Sequence, residues 1–358
     1  RNELRRAFYD ECRIRGPDAA LAACEGPVGI GKTTAVTAYL LRRAIATGAH
    51  RLIVVAPYTA ILSQTADRLR RALVLPDERD HADAVVAEHH HRADFADISS
   101  RDLATLWRAP VVLTTAVQFF ETLASNEPSA LRKLHALPGS AVFLDEAHAA
   151  LPTHLWAQNW RWLRELAEDW SCSFVLASGS LARFWEIEDI VGDASLKIPE
   201  LVPPVQAERL RTAESERVRY VTQSRLDGPG PLADAVAAAP GPRLLIMNTV
   251  QSAAVMARHM RSIGHDVLHL STALCPRDRQ AILETVQARL NPAKGYPSNW
   301  TLVATSLMEA GVDLSFRTPF RERFATTSLI QIGGRGNRNF EWSEGVTVHD
   351  FVVSHIDG

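Results

Sequence analysis

Gly26-Pro27-Val28-Gly29-Ile30-Gly31-Lys32-Thr33-Thr34 follows an apolar run at residues 19–24 and opens a helically spaced stretch at residues 33–46, with Gly48 placed to cap its end. A strand, a glycine-rich turn and a helix in that order make a phosphate-binding loop. The glycines let the backbone wrap close to phosphate oxygens with its N–H groups turned inward, and the helix adds its positive N-terminal end. Gly26, Gly29 and Gly31, with Thr34 beside them, are the expected cradle. Lys32 is the expected point charge for the β- and γ-phosphates, and the Thr33 hydroxyl is a magnesium ligand. ATP with Mg²⁺ is the ligand this stretch predicts.

Working outward, short apolar runs at residues 52–55, 85–86, 111–114, 141–144 and 174–177 read as strands, with a helix over 61–73. Residues 198–206 carry Pro199, Pro203 and Pro204 and read as a linker. The alternation then restarts, with strands at 217–222, 243–247, 267–270, 302–304 and 346–353 and helices at 252–263, 277–290 and 328–333. Strands alternating with helices of this length predict α/β architecture, in which mostly parallel sheets are flanked by helices. Two such lobes are expected, at residues 1–200 and 201–358.

Bulk properties narrow the class. Of 358 residues, 46% are hydrophobic and 22% charged, as in a soluble protein with real cores. The 39 basic and 41 acidic side chains leave a net charge of −2, which does not decide for or against a polyanionic partner. No apolar run approaches the ~20 residues of a membrane span, so no membrane partner is expected. Cys12, Cys24, Cys172 and Cys275 have no metal-site spacing; they predict reduced thiols and a cytoplasmic location. The chain begins at Arg1 and stops at Gly358 just after a strand-like run, and both ends read as cut from something longer.

Two further constellations complete the expected site. Asp145-Glu146-Ala147-His148 closes the apolar run 141–144. Asp145 is the expected holder of Mg²⁺, and Glu146 the group that polarises an attacking water. In the second lobe, Gln331-Ile332-Gly333-Gly334-Arg335-Gly336-Asn337-Arg338 offers a glutamine and two arginines on a helix that ends in a glycine-rich break. Arg335 and Arg338, three residues apart, share a helical face in this reading. Their guanidinium forks suit charge spread over a transferring phosphoryl group.

With these residues in place the chain resembles superfamily 2 helicases of the DEAH type, and more narrowly the helicase core of the CRISPR type I interference helicase–nucleases. The likeness runs from Asn2 to about Asn339. It includes the runs at residues 56–65, 88–91, 107–121, 151–156, 247–249, 270–277 and 305–313, and Arg321-Glu322. The narrower choice rests on Thr114-Thr115-Ala116-Val117-Gln118-Phe119-Phe120-Glu121 and on Glu309-Ala310-Gly311-Val312-Asp313 followed by Arg321-Glu322. The resemblance implies two tandem RecA-like lobes and an ATP-driven motor on single-stranded DNA in antiviral defence. It also implies a crRNA-guided surveillance complex as partner. By position it assigns Thr115, Gln118, Asn248, Thr249 and Thr305 to the nucleic-acid path, and Gly311 and Asp313 to the nucleotide cleft. It also implies that His148, Ser178 and Ser180 couple hydrolysis to movement.

Two departures stand out. The usual Ser/Thr-Ala-Thr appears as Ser178-Gly179-Ser180, and no adenine-reading glutamine precedes the loop, though residues 2–6 offer a substitute. Other superfamily 2 motors, acting on RNA or duplex, and a non-hydrolysing nucleotide-dependent binding module are the competing readings. The family's HD nuclease is expected outside this chain, in cis or as a separate subunit. His265-Asp266 and His349-Asp350 read as structural, and His89 to His91 with His81 and Asp94 make a poor preformed metal site.

Overall fold

A computed structural model of the chain describes residues 2–16, 18–90, 98–308, 313–354 and 356. It divides into two compact units, Asn2–Glu208 and Arg209–Gly358. The first holds β1 (Leu21–Glu25), β2 (Leu52–Ala56), β3 (Val86–His89), β4 (Val111–Thr115), β5 (Ala141–Leu144) and β6 (Ser173–Ser178). They form one sheet in the order β1-β6-β5-β2-β4-β3, every pair parallel. Strands covered on both faces read as unbroken apolar runs; β2 and β5 are buried throughout. Alternate residues such as Ile53 and Val55 face one cluster, which also takes in Trp107, Phe119, Trp160 and Trp185. Trp160 stacks on Trp185 at 5.7 Å and donates its indole N–H to Ala194 O. Truncating it to alanine costs about 3–5 kcal/mol.

The order of strands matters more than their number. β1, β6 and β5 are neighbours, so the turns that leave their carboxyl ends, after Glu25, Ser178 and Leu144, lie side by side. In open α/β sheets this edge is where ligands bind.

The second unit holds β7 (Val218–Thr222), β8 (Leu226–Asp227), β9 (Arg243–Ile246), β10 (Val267–Leu270), β11 (Thr301–Ala304), β12 (Thr318–Glu322), β13 (Val346–Phe351) and β14 (Val353–Ser354). Six of them make an all-parallel sheet, β10-β11-β9-β12-β13-β7, and β8 pairs with β14. Period-two alternation splits the core between its faces, with Leu244 and Ile246 in one cluster and Leu245 and Met247 in the other. β7 is the margin, and its last four residues are exposed.

Three expectations need correction. β12 is central although Pro319, Arg321 and Glu322 hide it from a search for apolar runs. The segment expected as a linker is ordered: Ala23 N–H donates to Pro199 O at 2.9 Å and Leu201 N–H to Ala23 O at 2.8 Å, so it lines the outer edge of β1. A helix, Pro204–Arg217, starts at the third proline, which its N-terminal turn tolerates. The strand expected over 346–353 is broken at Val352 into β13 and β14.

Candidate nucleotide site

The helix Lys32–Thr47 turns Ala35, Val36, Tyr39, Leu40 and Arg43 inward. At its end Gly48, with φ 74°, donates its N–H to Ala44 O, a left-handed cap that glycine adopts without strain. At its start Gly29 and Gly31 have φ of 81° and 104°, a backbone only glycine takes freely. A Cβ on Gly26 would lie 2.9 Å from the Phe8 ring, so the loop root is also glycine by packing. Lys32 is buried and donates to Gly26 O at 2.8 Å and Pro27 O at 3.2 Å. Among the described residues its ammonium hydrogen-bonds to these carbonyls alone. Arg5, on the helix Asn2–Ile14, donates to Gly29 O through Nε at 3.0 Å and through a second nitrogen at 2.7 Å. Residues 2–6 thus meet the loop itself.

Beside this loop Asp145 is buried, its carboxylate accepting from Glu146 N–H at 3.0 Å. Burial first, and then the adjacent Glu146 carboxylate, push its pKa up to about 7, while Lys32 pulls the other way. Glu146 is left-handed, φ 47° and ψ 50°. For a residue with a Cβ that conformation is costly and persists only where its surroundings hold it. The Ser178 hydroxyl donates to Glu146 Oε2 at 3.2 Å. Ser178 Oγ itself accepts from Ser180 N–H at 3.1 Å and lies 2.6 Å from His148 Nδ1. With its one proton given to Glu146, Ser178 must accept from His148, so Nδ1 carries the imidazole proton. Burial lowers the pKa of that imidazole, against the pull of the Glu146 carboxylate. Lys32, Asp145, Glu146, His148 and Ser178 are therefore one assembly. Thr33 is half-buried and Thr34 exposed at the head of the helix, and Ser180 Oγ is buried with no hydrogen-bond partner among the described residues.

The donor set fits a nucleoside triphosphate with a divalent cation. Inward glycines and a lysine bound to carbonyls suit phosphate oxygens. A hydroxyl at Thr33 and a buried carboxylate at Asp145, disfavoured while uncompensated, suit a hard cation.

Thr115 and Gln118 lie at the carboxyl end of β4. Thr115 Oγ1 accepts from Gln118 N–H at 3.2 Å as a helix cap, and Lys133 Nζ donates to Gln118 Oε1 at 2.9 Å. Lys133 had no motif to reveal it. Nearby, Trp107 donates its indole N–H to His89 Nδ1 at 3.0 Å. Burial, then the charge of Lys133, depress the His89 pKa to about 4. His91 and Asp94 lie outside the described residues, and among those described no group of three His, Cys, Asp or Glu side chains is arranged for a metal.

In the second unit Gln331, Arg335 and Thr305 are buried; Thr305 Oγ1 has no hydrogen-bond partner among the described residues. The helix Thr326–Gly333 stops before the arginines, correcting their expected place on its face. Gly333 is its last residue. A Cβ there would run into the Tyr220 hydroxyl, and past it the chain leaves the helix to bridge Gly336 with Phe316. Arg335 Nε donates to Met308 O at 3.1 Å, and Arg338 Nε lies 2.5 Å from Asp313 Oδ1. Gly311 lies outside the described residues. Asn248 is held on three sides. Its N–H donates to Glu322 Oε2 at 2.7 Å, its Nδ2 donates to Arg323 O at 3.0 Å, and its Oδ1 accepts from Arg321 at 2.6 Å. Thr249 caps the next helix through Ser252 N–H. Arg321-Glu322, which sequence reading used only as a mark of likeness, are what fix Asn248.

Comparison with known proteins bears on the fold that carries these residues. Residues 14–185 match the DEAD/DEAH box helicase family, and residues 240–341 match the C-terminal family of CRISPR-associated nuclease/helicase Cas3. A curated relative, the CRISPR-associated nuclease/helicase Cas3 of Haloferax volcanii, is 27% identical over 95% of this chain. The chain spans about half of that relative, 49% of its length. Among solved structures, T. fusca Cas3 with AMPPNP superposes with a TM-score of 0.74 at 18% identity, over 97% of this chain and 46% of that one. S. cerevisiae Dbp5 bound to RNA and ADP BeF3 does so with a TM-score of 0.62 at 16% identity, over 98% and 84%. These likenesses establish the fold as tandem RecA-like lobes.

Proposed function

We propose that this Cas3-like chain, which carries a DEAD/DEAH-box helicase domain followed by a Cas3-like C-terminal domain, hydrolyses ATP to move along single-stranded DNA in CRISPR type I interference. The observation that carries the reading is the Glu146–Ser178–His148 assembly beside Lys32. A carboxylate on a strained backbone, hydrogen-bonded by a serine of the next strand's turn, is a positioned base, tied to an element that can report its state. Residues 26–34 hold the triphosphate, and Lys32 leaves its carbonyl partners for the β- and γ-phosphates. Thr33 and Asp145 would hold Mg²⁺, which would supply charge neutralisation for the phosphate oxygens. Glu146 takes the proton of the attacking water, and His148 through Ser178 keeps its carboxylate aimed.

From the second lobe, Gln331, Arg335 and Arg338 complete the site, with Gly311 and Asp313 lining it. Arg338 has to leave Asp313 to do so. The DNA strand runs over Thr115, Gln118, Asn248, Thr249 and Thr305. Hydroxyls and amides there grip phosphate and sugar without reading bases, as a motor indifferent to sequence requires. A crRNA-guided surveillance complex delivers the DNA, and an HD nuclease, in cis or as a separate subunit, cuts it. The lobe boundaries at 200 and 201 belong to this proposal, as does a cytoplasmic setting. Among the described residues no helix is long and apolar enough to cross a membrane.

Phosphate release measured with single-stranded DNA, duplex and RNA tests the reading. Single-stranded DNA is expected to stimulate most; stimulation by RNA alone, or none with nucleotide bound, would overturn it.

A further inference from the structure

Residues 178–183 leave β6 and meet the root of the phosphate loop through three hydrogen bonds. Gly26 N–H donates to Ser178 O at 3.2 Å. A Cβ on Gly179 would stand 3.1 Å from Val28 Cγ2, tighter than ordinary contact, so glycine at this position leaves the Val28 side chain its room. Leu181 N–H donates to Glu25 Oε1 at 3.2 Å, and one nitrogen of Arg183 donates to Glu25 Oε2 at 3.0 Å. The other terminal nitrogen of Arg183 donates to Glu200. Glu200 lies opposite Ala23 of β1, where Pro199 and Leu201 bond the strand's outer edge. From there the chain enters the helix Pro204–Arg217, which carries it out of the first compact unit into the second.

One guanidinium therefore spans two carboxylates, one at the residue before Gly26 and the other in the segment that leads to the second lobe. The planar fork of arginine suits such a bridge, and without it two negative charges face each other. The three side chains are 32–39% exposed, so water screens the contacts and they can break and re-form. A reversible tie needs that property more than strength.

We propose that Arg183 is a positioning residue that ties the root of the phosphate loop to residues 199–208, so that nucleotide occupancy is felt in the segment leading to the second lobe. The tie rests on the nucleotide reading above and adds to it a route out of the site. Amide exchange at Leu201 is the readout, measured with and without a non-hydrolysable ATP analogue whose binding is followed separately by calorimetry. In the unaltered chain the analogue is expected to slow exchange at Leu201 at least fivefold. Arg183→Gln and Glu200→Ala abolish that response while the analogue still binds, and Arg183→Lys, able to hold one carboxylate at a time, keeps part of it. A purely structural role would lower the melting temperature without touching the nucleotide dependence. If Arg183→Gln does not fold, Glu200→Ala decides. Failure of the unaltered chain to bind the analogue overturns the nucleotide reading and the tie with it. Binding with an equal Leu201 response in all variants overturns the tie alone.

Discussion

The two sheets share strand order and direction but treat the charges at their carboxyl ends in opposite ways. In the first lobe Lys32 rests on two carbonyls and Glu146 on a serine hydroxyl. In the second, Arg338 is already matched by a carboxylate, Asp313. Neutral partners orient a charge without cancelling it, whereas a paired guanidinium must first give up its partner. On the function proposed above, the first lobe binds and the second responds.

That contrast can be broken most directly at the loop. Lys32→Ala is expected to weaken nucleotide binding about 100-fold, since a charge-assisted contact to phosphate is lost with nothing to replace it; calorimetry reads it. Glu146→Gln keeps the side chain's shape and removes its basicity. Turnover falls about 10²–10⁴-fold while affinity stays within a few-fold, which separates holding phosphate from attacking it. If both variants lose only stability, the first lobe is not the binding half.

The second lobe gives smaller effects. Arg338→Ala is expected to lower DNA-stimulated turnover about 100-fold. Asp313→Asn, which removes only the charge that restrains Arg338, is expected to cost less than about 1 kcal/mol, because the Asp313 side chain is 58% exposed. Equal destabilisation by both, with turnover intact, would reduce the pair to a surface ion pair.

An acid test of neutral partnering in the first lobe reads stability rather than turnover. Trp107 needs a bare His89 Nδ1, and the folded pKa of about 4 lies below the ordinary value of 6.5. The unfolded chain therefore binds the proton first. The stabilisation is whole above pH 6.5 and drains away as pH falls toward 4, on the order of 2 kcal/mol after allowing for partial exposure. Urea midpoints across that window should fall in the unaltered chain and flatten in His89→Gln.

Some of this was legible from residues alone, and the reason is locality. Lys32, Asp145 and Glu146 belong to short motifs whose spacing is their chemistry, and runs such as 141–144 and 267–270 announce buried parallel strands at their true bounds. β12 was hidden because its Arg321 is only 2% exposed on account of partners, Asn248 and the Glu322 carbonyl, that no local pattern displays. Arg5, Arg183 and Lys133 act on residues 24, 158 and 15 positions away, and such pairings leave no period to read. The arginines of the second lobe were read onto a helix because Ser328 to Gly333 has helical spacing. The clash awaiting a Cβ at Gly333 belongs to β7, more than a hundred residues earlier.

That clash has a mechanical meaning. The phenol of Tyr220 sits on the outermost strand like a doorstop, and the turn bearing Arg335 closes against it. A side chain introduced at Gly333 must push the stop away. The margin of the sheet and the tip of the arginine segment thus keep a common gauge.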